Sequence, residues 1–318
     1  IDFKSKKLRN HPTDLKGNNE ILCLTQPEII EQIHTMYLDA GANIIETNTF
    51  NANSISQKDY KTQEYVYEIN YKAAQIAKRA IKKNKNKLCF VAGAIGPTNQ
   101  TASMSSDITN PGFRKVSFDE FRISYKVQSE ALIDGGIDMF IVETVFDTLN
   151  CKAALFAIHE VLEEKTIDIP ILVSGTITDA SGRTLSGQTI EAFWNSIRHA
   201  NLTAVGLNCA LGAKEIRPWL SNLSDVADIF TFVYPNAGLP NEFGEYDEMP
   251  ETMAKHIEEF AKNGLVNIVG GCCGTTPNHI KMIADVVKNV LPRKVPKIKT
   301  LTRLSGLEAF TIRPNSNF

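Results

Sequence analysis

The feature that most restricts what this chain can fold into is an alternation. Short runs that are apolar nearly throughout recur along it, each followed by a longer stretch of helical periodicity. The apolar runs are 43–48, 88–92, 139–143, 171–175, 204–207, 229–234 and 267–270. The helical stretches behind them are 64–82, 118–134, 151–162, 190–199, 216–223, 253–262 and 279–290. A strand with one wet face carries a polar residue at every second position; runs without that alternation suit parallel strands covered on both faces. An α/β fold follows, as a closed barrel or a doubly wound sheet.

One further helix, 27–40, precedes the first run. Thr25 is placed to cap it, Pro27 sits in its first turn, and Glu28 suits the positive end of the helix dipole. Eight helices then accompany seven strands, one strand short of a (βα)8 TIM barrel. The expectation is such a barrel lacking its first strand in this chain, with that strand upstream of Ile1. A strand at 21–24 is the alternative, within a stretch that otherwise reads as polar loop.

With 43% hydrophobic residues in 318, the chain can bury a large core. Its 34 Lys and Arg against 36 Asp and Glu leave a net charge of -2, which gives no general attraction to nucleic acid or anionic membrane. No apolar run approaches the roughly 20 residues of a membrane span. Residues 1–10 are lysine-rich without an apolar core, unlike a secretory signal. Six cysteines are too few for a disulfide scaffold, so the expected setting is the reducing cytoplasm, where clustered cysteines point to metal or catalysis.

Barrel enzymes place their chemistry on the loops behind the strand C-termini. Here those positions hold Asn48, Glu143 with Asp147 close behind, Ser174, Asp179, Cys209, Asn236 and the pair Cys272-Cys273. Adjacent side chains on a strand point to opposite faces, so Cys272 and Cys273 reach one ion only if the backbone leaves strand geometry. Gly270, Gly271 and Gly274 permit that departure. Cys209 lies on a strand that converges at the same barrel mouth, and three thiolates leave the fourth tetrahedral position of zinc open. Buried, inert cysteines or a vicinal disulfide between Cys272 and Cys273 are the alternatives. Three thiolates also make zinc a weak activator of water while leaving an added thiolate nucleophilic, which suits alkyl transfer to sulfur better than hydrolysis.

Other features read as structural. Cys89 and Cys151 fit core packing, Cys23 a surface thiol in a polar loop, and the basic run 78–87 a solvated helix end. The loop 93–98 lacks the spacing of a phosphate cradle and reads as a tight turn, whereas 181–187 reads as a shaped active-site loop. The six histidines are scattered, so no histidine ligand is expected. Glu143 and Asp147 suit the amino group of an amino-acid substrate, with Asn48, Ser174 and Asn236 as further substrate contacts.

Several segments carry a resemblance in order along the chain: Glu46-Thr47-Asn48-Thr49-Phe50-Asn51-Ala52-Asn53, Gly93-Ala94-Ile95-Gly96-Pro97, Glu143-Thr144, Gly206-Leu207-Asn208-Cys209, Tyr234-Pro235-Asn236-Ala237-Gly238 and Gly270-Gly271-Cys272-Cys273-Gly274-Thr275. Together they resemble the homocysteine S-methyltransferase family, and within it the N-terminal module of cobalamin-dependent methionine synthases. The resemblance implies zinc on Cys209, Cys272 and Cys273, a substrate carboxylate at Glu143, and at Asn236 an asparagine that approaches zinc when homocysteine is absent. It implies that the zinc-bound thiolate of L-homocysteine accepts a methyl group from methylcobalamin carried by another module, giving methionine. Leu304-Ser305-Gly306-Leu307-Glu308-Ala309-Phe310 resembles the join to a folate-binding module, which divides the chain into a barrel at 1–291 and a linker at 292–318. The alternatives are a cobalamin-independent enzyme using S-methylmethionine or betaine, and a zinc-binding module without turnover. The family's Asp-Gly-Ala-Met-Gly-Thr loop and the Asp-x-His-x-x-Gly corrinoid motif are absent from this sequence, so this chain alone is expected to bind neither folate nor cobalamin tightly.

Overall fold

A computed structural model describes residues 1–84, 88–178 and 181–317, so Asp179 and the end of the basic run, Lys85 to Lys87, lie outside the described residues. Seven parallel strands alternating with helices make this an α/β chain of the (βα)8-barrel type. It divides into two compact units, residues 1–143 with 149–170, and residues 144–148 with 171–318.

The first unit holds helix α1 (Pro27–Ala40), strand β1 (Ile44–Glu46), helix α2 (Val66–Lys83), strand β2 (Phe90–Ile95), helix α3 (Phe118–Gly135), all but the end of strand β3 (Met139–Val145), and nearly all of helix α4 (Thr148–Lys165). β1 pairs with β2 and β2 with β3, both parallel, with Ile45 opposite Val91 and Gly93 opposite Phe140. On α2, Ile69, Ala73, Ile76, Ala77 and Ala80 are buried at spacings of one, three and four, a stripe that packs against α1 and α3. α3 starts at a reciprocal cap: the Glu120 amide donates to the Ser117 hydroxyl, and the Ser117 amide to the Glu120 carboxylate.

Several local expectations shift here. α1 keeps its expected bounds, but Gln26 precedes it without a side-chain cap. Thr25 instead closes the helical turn Leu22–Thr25, its hydroxyl donating to the Ile21 carbonyl, so 21–24 is not a strand. Among the described residues no strand precedes Ile44. Cys23 is buried in that turn rather than exposed, because the turn packs its apolar side against Ile30, Ala73 and Ile76. Pairing with β1 begins only where the Phe90 amide meets the Asn43 carbonyl. β2 therefore starts late, leaving Leu88 exposed and Cys89 outside the strand, and it takes in Gly93–Ile95, so the tight turn expected at 93–98 is in its first half strand. Along the basic run, Lys83 and Arg79 pair with Glu31 and Lys78 with Asp138.

The second unit holds β4 (Ile171–Gly175), α5 (Ile190–Ile197), β5 (Ala204–Gly212), α6 (Ala213–Val226), β6 (Phe230–Asn236), α7 (Pro250–Lys262), β7 (Ile268–Val269), α8 (Pro277–Val287) and the antiparallel hairpin β8 (Arg303–Ser305) and β9 (Ala309–Thr311). β4 to β7 pair in chain order, all parallel. The buried interior is large and aromatic, with Phe193, Trp194 and Phe232 nearly inaccessible. Beyond α8 the chain stays attached to this unit. Arg293 is buried, its guanidinium donating to the Ser224, Ala227 and Ile229 carbonyls at 2.6–2.9 Å, and the Ser305 hydroxyl donates to the Ala192 carbonyl on α5. No helix among the described residues is long and apolar enough to cross a membrane.

Candidate metal centre

Three cysteines far apart in sequence meet in the second unit because two strand ends depart from regular geometry. β5 keeps register with β6 up to Asn208 opposite Tyr234; the next pair is Gly212 opposite Asn236, so four steps on one strand match two on the other. Within this bulge Cys209 and Ala210 both lie in the left-handed region, at φ 57°. Non-glycine residues there cost roughly 1–3 kcal/mol each, a strain that surrounding structure must offset. The bulge swings the Cys209 side chain off the strand's alternation.

The second departure follows β7. The Gly270 amide donates to the Val233 carbonyl and the Cys272 amide to Pro235, continuing the pairing along β6. The chain then turns: the Ala237 amide donates to the Cys273 carbonyl, the Cys273 amide to Asn236 Oδ1 at 3.1 Å, and the Thr275 hydroxyl to the Cys272 carbonyl. Of the three flanking glycines only Gly274 has a positive φ, and a Cβ there would lie 2.3 Å from that of Tyr246. At Gly271 the requirement is space: a Cβ would fall 2.4 Å from the Thr275 methyl. The left-handed residues that sequence reasoning placed on glycine are therefore shared with Cys209 and Ala210.

The Cys209 and Cys273 sulfurs are 3.7 Å apart, those of Cys272 and Cys273 3.9 Å, and all three lie within 4.8 Å of one another. At these separations Cys272 and Cys273 are not joined as a vicinal disulfide, whose sulfurs would be about 2 Å apart. Zinc–sulfur bonds of about 2.3 Å in a tetrahedron place neighbouring sulfurs about 3.8 Å apart, so the donor set fits zinc with one position to spare. Without a metal the cluster shares protons: hydrogen bonds from the Cys209 and Cys272 thiols hold Cys273 down to about 2, while donating to its neighbours holds Cys272 far above the ordinary thiol value. A dication bound there would meet one ready thiolate and displace the remaining protons.

Around the sulfurs lies a buried polar shell. The Asn236 side chain, 1% exposed, fixes the Cys273 amide. Asn208 accepts from the Thr144 amide and the Ser174 hydroxyl, and Ser174 also pairs with the Tyr234 hydroxyl. Tyr246 hydrogen-bonds Cys273; burial, then the nearby sulfur charge, pushes its phenol up to about 12. His279 caps α8 through Nδ1 and reaches the Glu248 carbonyl through Nε2, tying the helix start to the loop behind β6.

Of the residues expected at the site, the fold gathers Cys209, Cys272, Cys273 and Asn236, and links Ser174 to them through Asn208. Glu143 is buried at the end of the first unit, next in the chain to Thr144, and Asp147 is buried between β3 and α4. Asn48 belongs to the first unit, where its amide donates to the Asn19 carbonyl and towards the Cys23 sulfur. Loop 181–187 packs on the second unit, with Gly182 at φ 77° against the Trp219 ring and Arg183 paired with Glu308. Sequence reasoning did not single out Asn208, Tyr234 or Tyr246 as site residues. Asn208 could have been found as the neighbour of Cys209; Tyr246, 27 residues before Cys273, carried no sequence signal.

Fold and site together define an α/β barrel-type protein with a cluster of three thiols behind its strand ends that could hold a metal ion. The model of the family described as homocysteine S-methyltransferase matches residues 3–287, and this chain belongs to that family, a family of methyltransferases. Among solved structures, the oxidized form of the homocysteine methyltransferase MmuM from Escherichia coli superposes with a TM-score of 0.66 at 21% identity, over 83% of this chain and 86% of that one. Its metallated form gives 0.64 at 21% identity, over 88% and 92%. An amine oxidase, HisD from Pseudomonas geniculata, gives 0.53 at 9% identity over 83% of this chain and 45% of that one. At such identities these likenesses establish the fold alone.

Proposed function

We propose that this chain is the homocysteine-activating module of a cobalamin-dependent methionine synthase. Cys209, Cys272 and Cys273 would hold zinc, and the sulfur of L-homocysteine would fill the remaining position. The observation that carries the reading is the spacing of the three sulfurs, which suits a tetrahedral ion with one ligand still to come. Zinc, when bound, supplies a Lewis acid that keeps the substrate thiol deprotonated near neutral pH, while the three thiolate donors leave that sulfur nucleophilic. The chain's own residues do the rest. Asn236 holds the Cys273 turn, Glu143 and Asp147 orient the amino group, and Asn48 and Ser174 complete the substrate's surroundings. The homocysteine sulfur forms a bond to the methyl carbon as the bond to the donor breaks, the donor keeping the electron pair. Holding the two reactants in line supplies much of the rate.

Methylcobalamin on another module is the donor we favour, with residues 1–291 as the barrel and 292–318 leading to a folate-binding module. The family match ending at residue 287 supports that boundary, and the resemblance of 304–310 to the inter-module join supports this branch. The setting proposed is the cytoplasm. A second reading, a cobalamin-independent enzyme using S-methylmethionine or betaine, draws on the likeness to MmuM over most of both chains. Assaying the protein with methylcobalamin, S-methylmethionine and betaine separates the two. In each case Cys272→Ser is expected to lower zinc content and cut homocysteine methylation on the order of a hundredfold or more. Retention of both sinks the metal-centre reading, and a zinc site that never takes homocysteine as a ligand favours a module without turnover.

A further inference from the structure

Asn208 stands one residue before the first cysteine of the cluster, yet its side chain serves a different one. Its orientation is fixed by its neighbours. A backbone N–H can only donate, so the atom that the Thr144 amide meets at 3.0 Å is the Asn208 carbonyl oxygen. The Ser174 hydroxyl gives its single proton to the same oxygen at 2.8 Å, so the Tyr234 hydroxyl, 2.7 Å from Ser174, is the donor in that contact. The amide nitrogen is thereby turned the other way. It donates to the Thr144 hydroxyl at 2.8 Å and faces the Cys272 sulfur at 3.9 Å. Asn208 and Ser174 are fully buried and Tyr234 nearly so, which keeps water from competing for these bonds.

We infer that Asn208 is a positioning residue for the metal centre, donating its amide N–H to the Cys272 thiolate under the polarising influence of Tyr234 and Ser174. The inference rests on the zinc reading above and deepens it. Each hydroxyl in the chain donates toward the Asn208 carbonyl, and drawing charge onto that oxygen makes the opposite N–H a better donor. A hydrogen bond to a ligating sulfur withdraws charge from it and fixes its direction, as outer partners do for other metal ligands. The same amide grips Thr144 at both its N–H and its hydroxyl. Thr144 lies at φ 55°, costly for a β-branched residue, and follows Glu143 directly, so one side chain holds both a ligand sulfur and the strained turn beside the proposed substrate carboxylate.

The test uses cobalt(II) in place of zinc, because the thiolate-to-cobalt charge-transfer band reports the charge on the donor sulfurs, together with zinc affinity by chelator competition. Asn208→Asp keeps the shape and removes the donor. It is expected to move the band to lower energy and weaken zinc about tenfold or more. Tyr234→Phe and Ser174→Ala, which leave the donor but remove its polarisation, are expected to move the band less and in the same direction. Weaker binding with an unmoved band in Asn208→Asp marks a merely structural role and overturns the inference, as does an unchanged band with affinity within about twofold. If Asn208→Asp does not fold, Tyr234→Phe decides, and an unmoved band there overturns the inference. Failure of the unsubstituted protein to give a three-sulfur cobalt spectrum removes the zinc reading itself, an outcome distinct from failure of the Asn208 role alone.

Discussion

Cys23 in the first unit and Cys273 in the second each lie within reach of an asparagine, yet they are held in opposite protonation states. The Cys23 thiol donates to the Asn48 carbonyl and receives the Asn48 amide at 3.6 Å, while burial pushes it up to about 12. Cys273 is only half-buried, and two further thiols and a phenol donate to it, so its value falls to about 2. Burial alone raises a thiol; burial among donors that can share a charge lowers it. The two thiols therefore differ in company as well as in depth, and it is the company of three donors that turns Cys273 towards the thiolate.

The most severe test of that contrast is alkylation of the metal-free protein near neutral pH. Cys273 is expected to react at least roughly a thousandfold faster than Cys23, since only the thiolate attacks. Zinc should protect Cys273 and leave Cys23 unaffected. Peptide mapping of the labelled sites reads the outcome, and comparable rates would end the comparison.

His34 extends the contrast to a cation. It is buried on α1 with Nε2 unpartnered among the described residues, and burial pushes it down to about 4. Its folded value lies below the 6.5 of an ordinary histidine, so its contribution is intact above pH 6.5 and is lost as the pH falls towards 4, where the unfolded chain takes up a proton the folded ring refuses. The loss is roughly 2–3 kcal/mol over that window. His34→Leu should flatten it in urea titrations at a series of pH values; an unchanged slope would show that the ring titrates normally.

Smaller effects sharpen the two thiol sites separately. Cys23→Ser is expected to cost about 1–2 kcal/mol of stability by burying a hydroxyl, with zinc content unchanged, as thermal melts and metal analysis would report. Tyr246→Phe removes one donor to Cys273. The alkylation profile of the metal-free protein should then move to higher pH by about half a unit, the smallest change of the set.

Legibility in the sequence followed the range of the interactions. The helix at 27–40 and the strand at 171–175 kept their bounds because their apolar patterns and flanking residues are local. β2 was displaced towards its C-terminus because pairing with β1 decides where it starts. Cys23 reads as a surface thiol in the sequence but is buried, because its neighbours Ile30, Ala73 and Ile76 include residues some 50 positions away.

The sequence by itself determined the α/β alternation, the family and the three cysteines, since apolar periodicity and a glycine-flanked cysteine pair are written in consecutive residues. Only the tertiary structure decided how those sulfurs meet and in what state. The β5 bulge brings Cys209 within 3.7 Å of Cys273, and Asn208, Ser174 and Tyr234 converge from three strands into one directed network. The physical reason is that charge on sulfur depends on which donors surround it in space, and those donors come from segments up to 64 residues apart in the chain.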